Sequence, residues 1–348
     1  MTRIGIVGLG FMGMIHYLAA QRLPQAQVVA VCSRDPKKRA GDWTGIQGNF
    51  GPKGTQVDLT GVAGYADVKE LLADPKVELV DLCVPNDEHA ALAIRALDAG
   101  KHVLVEKPIA LNTADADAMV AAAKANGKLL MVAHVLPFFP EFAYAAEAVR
   151  SGRYGKLQAA NLKRVIAKPD WSQGIGDADR SGGPAIDLHI HDTHYVGLVC
   201  GVPRAVQSRG VVDGNAVVHL STQYLYDDPQ LTVSAISGAL SQAGRPFAHS
   251  YEFYLEKATI AFEFAVLGGE GHVATPVSLI LPDGTVERPD LGSGDPIDAF
   301  ASELAVAIAA VESGTPAPQL SGELARQALR LCHAEVESVK SGQAVTIA

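Results

Sequence analysis

The feature that most limits the possible folds is a glycine-rich turn near the start of the chain, Gly8-Leu9-Gly10-Phe11-Met12-Gly13. It follows a short apolar run, Arg3–Val7, and precedes a segment of helical periodicity that extends to about Gln21. In this context the first glycine permits a tight turn, the second lets the backbone approach a pyrophosphate, and the third lets helix pack on strand. The start of the helix also offers unpaired N–H groups to phosphates. The sequence therefore predicts a strand–turn–helix unit that binds a dinucleotide.

Strand-like and helix-like segments alternate through residues 1–136. The predicted strands after the first are Val28–Cys32, Val77–Val84, Lys101–Val105 and Lys128–His134. The predicted helices are Asp87–Ala99 and Asn112–Ala125, and the second of them has Asn112 or Thr113 as its N-cap. Strands that alternate with helices of this length indicate βαβ units and a parallel sheet. Residues 1–136 are therefore predicted to form an α/β domain of the doubly wound Rossmann type.

After residue 136 the pattern changes to long strands joined by short turns such as Asp283-Gly284. The predicted strands are Leu157–Ile166, Ala205–Val212, Val217–Tyr226, Leu231–Ile236, His249–Leu255, Thr259–Phe264 and Val277–Leu281. The predicted helices are Glu141–Ser151, Pro296–Glu312 and Ser321–Lys340. Long strands with short connections are typical of an antiparallel sheet. Residues 137–348 are therefore predicted to form a second domain of α+β architecture.

One segment, Gly41–Tyr65, interrupts the alternation, because it is rich in glycine and has little periodicity. Loops at the carboxyl ends of strands in open α/β sheets carry cofactor and substrate contacts. The segment is either such a loop or an insertion tolerated at the surface. The sequence leaves both interpretations open.

Length and charge limit the class of protein. A chain of 348 residues exceeds the roughly 250–300 residues at which single cores stop growing, so two domains are expected. The formal net charge is −9, whereas a nucleic acid or an anionic membrane would need a positive face on its partner. Neither kind of partner is expected.

The four cysteines, Cys32, Cys83, Cys200 and Cys332, are widely separated and lack metal-type or disulfide-type spacing. An apolar strand begins at Ile4, which leaves no room for a signal peptide, and no apolar run reaches the roughly 18 residues of a membrane span. The expectation is a cytoplasmic protein.

The end of the second strand bears on the choice of dinucleotide. NAD enzymes place an acid about 20 residues after the glycine loop to bind the ribose 2′-hydroxyl. Ser33 and Arg34 stand at that place, and a hydroxyl with a guanidinium suits a 2′-phosphate. NADP is therefore favoured. NAD stays possible, because Asp35 would supply the acid if the register were shifted by one residue.

Three further segments, together with the glycine turn, make a family recognisable. They are Val84-Pro85-Asn86-Asp87-Glu88-His89, Val105-Glu106-Lys107-Pro108, and the run Gly182–Asp192, which contains Asp187 and His191. In this order they resemble the Gfo/Idh/MocA family (glucose-fructose oxidoreductase and inositol dehydrogenase) over nearly the whole chain. The resemblance implies a Rossmann domain followed by a domain for substrate binding and oligomerisation. It implies that this second domain has a large, open, mainly antiparallel sheet and that the protein is a homodimer or homotetramer.

By this resemblance Lys107, Asp187 and His191 form the catalytic group. Oxidation of a carbinol needs a base for the hydroxyl proton, and a histidine, with an unperturbed pKa near about 6.5, can serve in both directions. If one helix holds both residues, the four-residue spacing puts Asp187 and His191 on one face. The ammonium of Lys107 would polarise the carbonyl oxygen. Whether Lys107 or His191 is the immediate proton donor is left open.

The resemblance also assigns contacts to the cofactor and the substrate. Glu106 would contact the nicotinamide ribose, and Pro85, Asn86 and His89 would line the nicotinamide side, although Asn86 or Asp87 could only cap the next helix. Trp171 and His194 are expected to join the catalytic residues around the substrate. His189, His191 and His194 with Asp187 and Asp192 could alternatively bind a metal, but none is expected because the family chemistry needs none. The family often has other residues at His189, His194 and Pro137, which leaves the substrate specificity open.

The function that follows is hydride transfer between a nicotinamide cofactor and a sugar, a cyclitol, or a related polyol or ketone. Two alternatives share the dinucleotide site. One is a redox-neutral glycosidase that uses NAD transiently, and the other is a non-catalytic dinucleotide-binding regulator. Retention of Lys107, Asp187 and His191 disfavours the regulator, which has no need for proton-transfer groups.

Overall fold

The computed structural model describes residues 1–48, 50–168, 181–292 and 294–347. Trp171 therefore lies outside the described residues. The chain divides into two compact units, Met1–Phe139 with Gly294–Arg326, and Pro140–Ser293 with Gln327–Ala348. Among the helices in the described ranges, none has both the length and the apolar character that a membrane crossing requires.

The strands divide into two sheets. In chain order they are β1 (Thr2–Val7), β2 (Ala26–Cys32), β3 (Ala63–Tyr65), β4 (Leu79–Leu82), β5 (His102–Glu106), β6 (Leu130–Ala133), β7 (Leu157–Ala167), β8 (Ala205–Asp213), β9 (Ala216–Leu225), β10 (Thr232–Ser241), β11 (Phe247–Leu255), β12 (Ala258–Leu267), β13 (Glu270–Ile280), β14 (Val286–Glu287) and β15 (Val345–Thr346).

The described helices are fewer than the described strands and vary widely in length. They are α1 (Phe11–Gln21), α2 (Pro36–Arg39), α3 (Val68–Ala73), α4 (His89–Asp98), α5 (Thr113–Asn126), α6 (Pro140–Arg150), α7 (Pro184–Asp187), α8 (Ile190–Val199), α9 (Pro296–Ser313) and α10 (Gly322–Ser341). Short 3₁₀ turns lie at Asn86–Glu88, Leu136–Phe138 and Pro318–Leu320.

Within the described residues of the first unit, the sheet has six parallel strands in the order β3-β2-β1-β4-β5-β6. This is the doubly wound order, in which ligands bind outside the carboxyl ends of the strands where the order reverses, between β1 and β4. All four residues of β4 are buried, as expected for a strand covered on both faces. The predicted Rossmann fold is confirmed.

Local sequence accounts for where the helices begin and end. The side chain of Asn112 accepts a hydrogen bond from Asp115 N at 2.9 Å, so Asn112 is the N-cap predicted for α5. Gly127, with φ 60°, ends the same helix in the left-handed conformation that favours glycine. Asp295 caps α9 in the same manner, and Pro296 takes the first helical position.

The first unit is larger than the sequence division at residue 136 indicates, because α9 belongs to it. Ile297, Phe300 and Leu304 of this helix are buried in the same core cluster as Ile4 and Ile15. The apolar stripe of α9 would fit either sheet, so only the folded chain decides which core it completes.

The segment Gly41–Tyr65 is anchored in the first unit. Trp43 is fully buried, its Nε1 donates to Lys38 O at 2.8 Å, and its ring meets Tyr17 edge to face. Phe50 packs edge to face on Phe11 of the glycine turn, with ring centroids 4.9 Å apart. The segment thus adjoins the dinucleotide turn, which favours the cofactor-loop interpretation over a surface insertion.

In the described part of the second unit, a sheet of nine strands has the order β14-β13-β12-β11-β7-β10-β9-β8-β15. Its neighbours are antiparallel except β7 and β10, which are parallel. The sheet is mainly antiparallel, as predicted. Along β7, Leu162 and Arg164 are buried whereas Asn161 is exposed and Lys163 half-buried. One face of the sheet is therefore covered and the other meets solvent.

Candidate active site

The glycine turn has the geometry that its sequence predicts. Gly8 has φ 95°, and a Cβ there would lie 2.3 Å from the carbonyl oxygen of Cys83. A Cβ on Gly13 would lie 2.0 Å from Gly8 O, so this position needs glycine for close packing. A Cβ on Gly10 would meet no atom within 4 Å. The middle glycine thus faces open space, as the approach of a ligand to the backbone requires.

The first turn of α1 suits an anion. Gly10 is the N-cap and has no side chain to satisfy the first N–H groups, and the first turn contains no acidic residue. Phe11 and Met12 are half-buried. The unpaired N–H groups and the positive end of the helix dipole can therefore bind a phosphate.

At the end of β2, Asp35 is engaged in local structure. Its carboxylate caps α2 by accepting from Lys37 N at 2.9 Å, and its own N–H donates to Ser33 Oγ at 3.2 Å. The Arg34 side chain is exposed. The guanidinium of Arg39 donates to the carbonyl oxygens of both Ser33 and Arg34, which holds their backbone in place.

His89 connects the loops that follow β4 and β5. Its ring nitrogens lie 2.8 Å from Pro108 O and 3.0 Å from Val84 O, and the residue is fully buried. Burial lowers the pKa of His89. Within this loop Pro85 is exposed and Asn86 half-buried. The structure therefore gives His89 a role in holding two strand ends together, whereas a direct contact with nicotinamide would need ring surface that is not exposed.

Glu106 and Lys107 lie where β5 ends. Glu106 is 7% exposed, and its Oε2 accepts from Lys107 N at 3.1 Å. The Lys107 side chain is half-buried, and the Lys107–Pro108 peptide is cis. Lys107 thus stands at the edge of the sheet where ligands bind in doubly wound folds.

A buried charged pair beside Glu106 was missed at the sequence level. His16 Nδ1 lies 2.9 and 3.0 Å from the two carboxylate oxygens of Asp81, and His16 Nε2 lies 3.1 Å from Glu106 Oε1. Burial alone would lower the pKa of His16, but the negative charge of Asp81 raises it well above its usual value. The sequence signal for this pair is that His16 stands in the apolar first part of a helix and Asp81 stands in an apolar strand.

Cys83 adds a third ligand-type atom to His16 and Asp81, and the three lie within 4.8 Å of one another. The separations of 2.9 and 3.0 Å between His16 and Asp81 are those of a shared proton. Two ligands on a tetrahedral zinc ion would be about 3.3 Å apart. We therefore interpret the group as a hydrogen-bonded network.

In the second unit, Asp187 and His191 lie on two helices rather than one. Asp187 ends α7, a turn follows at Leu188–His189, and His191 is the second residue of α8. The condition of a continuous helix is not met, so the four-residue spacing does not by itself place the two side chains on one face. Both side chains are half-buried, which leaves each of them some access to solvent.

The neighbouring polar residues of this segment are buried and paired. His189 Nε2 lies 3.1 Å from Glu335 Oε2, and the guanidinium of Arg164 binds both oxygens of Asp192 at 2.8 and 3.2 Å. His194 has no exposed surface, and burial lowers its pKa to about 3. These contacts hold α8 in the second unit. His194 would need a rearrangement to reach a substrate, and His191 is the more accessible histidine.

The parallel sheet order and the open glycine turn together define the class of a dinucleotide-binding Rossmann protein. Residues 2–134 match the model of the oxidoreductase family with an NAD-binding Rossmann fold (GFO_IDH_MocA). The chain is 26% identical to myo-inositol 2-dehydrogenase of Thermotoga maritima over 99% of this chain and 98% of that protein. It is 27% identical to 1,5-anhydro-D-fructose reductase of Ensifer adhaerens over 100% of this chain and 99% of that protein.

A solved structure agrees along the full length. The crystal structure of a probable dehydrogenase from Thermotoga maritima has a TM-score of 0.78 and 25% identity, over 99% of both chains. The chain matches the Gfo/Idh/MocA family model over residues 2–134, and the resemblance that its sequence motifs indicate is confirmed. It is an oxidoreductase with an NAD(P)-binding Rossmann fold.

Proposed function

We propose that the protein transfers a hydride between a nicotinamide cofactor and a carbon that bears a hydroxyl or carbonyl in a sugar, a cyclitol or a related polyol. The observation that carries this proposal is the full-length similarity to enzymes named for such substrates, inositol and anhydrofructose. It is supported by Lys107, a half-buried cation at the carboxyl end of β5, where doubly wound sheets bind their ligands.

The proposed catalytic group is Lys107, Asp187 and His191. Removal of a hydride from a carbinol leaves a proton on oxygen, which a base must accept, and the reverse reaction needs an acid at the same oxygen. His191 suits this role because an imidazole titrates near neutral pH. The Lys107 ammonium would stabilise the developing alkoxide, and the Asp187 carboxylate would orient the imidazole or the substrate hydroxyls. We propose that these three, with Trp171, contact the substrate; His194 is a weaker candidate because it is buried.

The proposed cofactor is NADP, with NAD as the alternative. The carboxylate of Asp35 is already used as the cap of α2, whereas the guanidinium of Arg34 is exposed at the strand end. An exposed guanidinium beside the Ser33 hydroxyl favours a 2′-phosphate through charge-assisted hydrogen bonds. The Gly8–Gly13 turn would bind the pyrophosphate.

The nicotinamide end of the cofactor would meet the residues that follow β4 and β5. We propose that Glu106 contacts the nicotinamide ribose and that Pro85 and Asn86 line the ring. His89 would act on this region through its contacts with the carbonyl oxygens of Val84 and Pro108.

We also propose that the chain acts in the cytoplasm as a homodimer or homotetramer through the open face of its large sheet. That face has exposed apolar side chains such as Ile236, which is 39% exposed, and a depression of about 430 Å³ lined in part by Asn161 and Lys163. Exposed apolar side chains on an open sheet are typical of an interface between copies. Light scattering of the purified protein and of Ile236→Asp would test it, because a chain that is monomeric in both forms contradicts the proposal.

The function is tested by mixing the protein with NADP or NAD and a panel of sugars and inositols while the nicotinamide absorbance is recorded. Lys107→Ala should abolish turnover and leave cofactor binding largely intact. Lys257→Ala, which changes an exposed lysine in the second unit, is the matched control. Release of a chromogenic aglycone without an absorbance change would instead indicate a glycosidase. Near-normal turnover in Lys107→Ala would contradict the catalytic assignment.

A further inference from the structure

The first unit contains a buried row of ionisable side chains, of which the proposed function uses only Glu106. Asp81 from β4, His16 from α1 and Glu106 from β5 are 1%, 3% and 7% exposed. Both carboxylate oxygens of Asp81 lie within 3.0 Å of His16 Nδ1, and His16 Nε2 lies 3.1 Å from Glu106 Oε1. The second contact has the distance of an ion pair but not the alignment of a hydrogen bond.

We propose that His16 is a positioning residue that holds the Glu106 carboxylate in the orientation that binds the nicotinamide ribose. The inference rests on the proposed function, from which it takes the contact between Glu106 and the ribose. It adds a residue of α1, remote in sequence from β5, to the cofactor site.

The geometry explains why the imidazole is suited to this task. Asp81 lies in a strand whose four residues are all buried, so its carboxylate is a fixed acceptor for one ring nitrogen. The other nitrogen lies 3.1 Å from Glu106 Oε1, while Glu106 Oε2 accepts from Lys107 N. A histidine that faces carboxylates at both nitrogens is suited to the protonated form, in which both nitrogens carry hydrogen. Its charge offsets the cost of burying the carboxylate of Glu106.

The other groups that face His16 are close to neutral. Cys83 Sγ, which follows β4, lies 3.6 Å from His16 Nδ1, and burial raises the pKa of this thiol. From α9, Phe300 presents its ring at 6.0 Å between centroids, and burial raises the pKa of Glu303 well above its usual value. The cluster is thus one cation between two carboxylates, with a neutral thiol and a carboxyl that favours its neutral form.

The pH dependence has a definite sign. Burial would lower the pKa of His16, but the charge of Asp81 raises it well above the unperturbed value. The cation is therefore present at neutral pH and is lost as the pH rises through the raised pKa. The hold on Glu106 should weaken in the same alkaline range.

The test compares whole cofactors with fragments that lack the nicotinamide ribose. Titration calorimetry of the full-length protein would give dissociation constants for NADPH and NADH, and for 2′,5′-ADP and AMP. His16→Gln and Asp81→Asn should each weaken the dinucleotides by roughly tenfold, because the ion pair that orients Glu106 is lost, and leave the fragments unchanged. Glu303→Gln is the matched control in the same cluster. It should change neither the dinucleotide affinity nor the fragment affinity, because a neutral amide replaces a carboxyl whose neutral form burial favours.

A second measurement needs no change at His16. In the unmodified protein, the affinity for dinucleotide relative to fragment should fall as the pH rises from neutral through the raised pKa of His16, and Glu106→Gln should remove this dependence. A relative affinity that is constant over this range, or an equal loss of dinucleotide and fragment binding in His16→Gln, would overturn the positioning role. If Glu106→Gln weakens the dinucleotides and His16→Gln does not, only this inference fails. If Glu106→Gln has no effect, the ribose contact of the proposed function fails with it.

Discussion

Substitution of the glycines in the turn should separate cofactor binding from folding. Gly10 has φ −90° and ψ −161°, values that alanine adopts, and a Cβ there would meet no atom within 4 Å. Gly10→Ala should therefore change the stability by about 1 kcal/mol at most, since alanine is a poorer N-cap than glycine but restricts the unfolded chain. The added methyl would occupy the space into which the pyrophosphate must come, so dinucleotide affinity should fall at least about tenfold.

Gly13→Ala should instead lower the stability of the fold. Its Cβ would lie 2.0 Å from Gly8 O, more than 1 Å inside an ordinary contact of about 3.3 Å, and this atom belongs to backbone that cannot rotate away. Overpacking of this kind costs about 1–3 kcal/mol or more, so the thermal midpoint should fall clearly below that of Gly10→Ala.

The assay is a thermal unfolding scan paired with a titration of NADPH and NADH on each variant. Gly244→Ala, in the second unit and also in open space, controls for the substitution itself. Normal dinucleotide affinity in Gly10→Ala, or destabilisation equal to that of Gly13→Ala, would refute the reasoning.

Three further predictions concern electrostatic contacts. Arg34→Ala should weaken NADP by about 1–3 kcal/mol and NAD little, measured by titration; equal losses would count against the 2′-phosphate contact. Asp192→Asn should destabilise the fold by about 3–5 kcal/mol, because Arg164 keeps a buried charge without its partner. Glu263→Gln breaks a half-exposed ion pair and should cost only about 0–1 kcal/mol. Similar thermal unfolding midpoints for the two variants would contradict this reasoning. Burial lowers the pKa of His189, but its partner Glu335 raises it, and the net shift is upward. The protonated imidazole therefore stabilises the fold fully below about pH 6.5, and this contribution is lost as the pH rises through the raised pKa. His189→Gln should flatten that part of the stability–pH profile.

Much of the fold is readable locally. The glycine turn, the Asn112 cap and the change from short buried strands to long alternating ones each depend on neighbouring residues, and the structure contains all three. The predicted strand Leu157–Ile166 differs from β7 by one residue at its end. Strand order cannot be read from local sequence. The parallel pairing of β7 with β10 joins Ala159 to Thr232, and no local pattern encodes a contact over that separation.

In the candidate site, too, some features are readable from the sequence and others depend on the fold. The family resemblance singled out Glu106 and Lys107, and the structure has them at the carboxyl end of β5, where ligands bind in this fold class. The sequence did not show that His191 is half-buried whereas His189 and His194 are fully buried, because the three lie on one short segment whose helix is interrupted. Burial depends on what packs against α8, and those partners come from distant parts of the chain.

By itself, the sequence determined the glycine turn, the types and approximate bounds of most elements, and the family resemblance, because these depend on backbone conformation and periodicity over a few residues. Only the tertiary structure decided that α9 completes the first core and that His16 meets Asp81, 65 residues away. Such contacts arise when apolar surface is buried and the charges carried with it must find partners, and that pairing is a property of the packed core rather than of any segment.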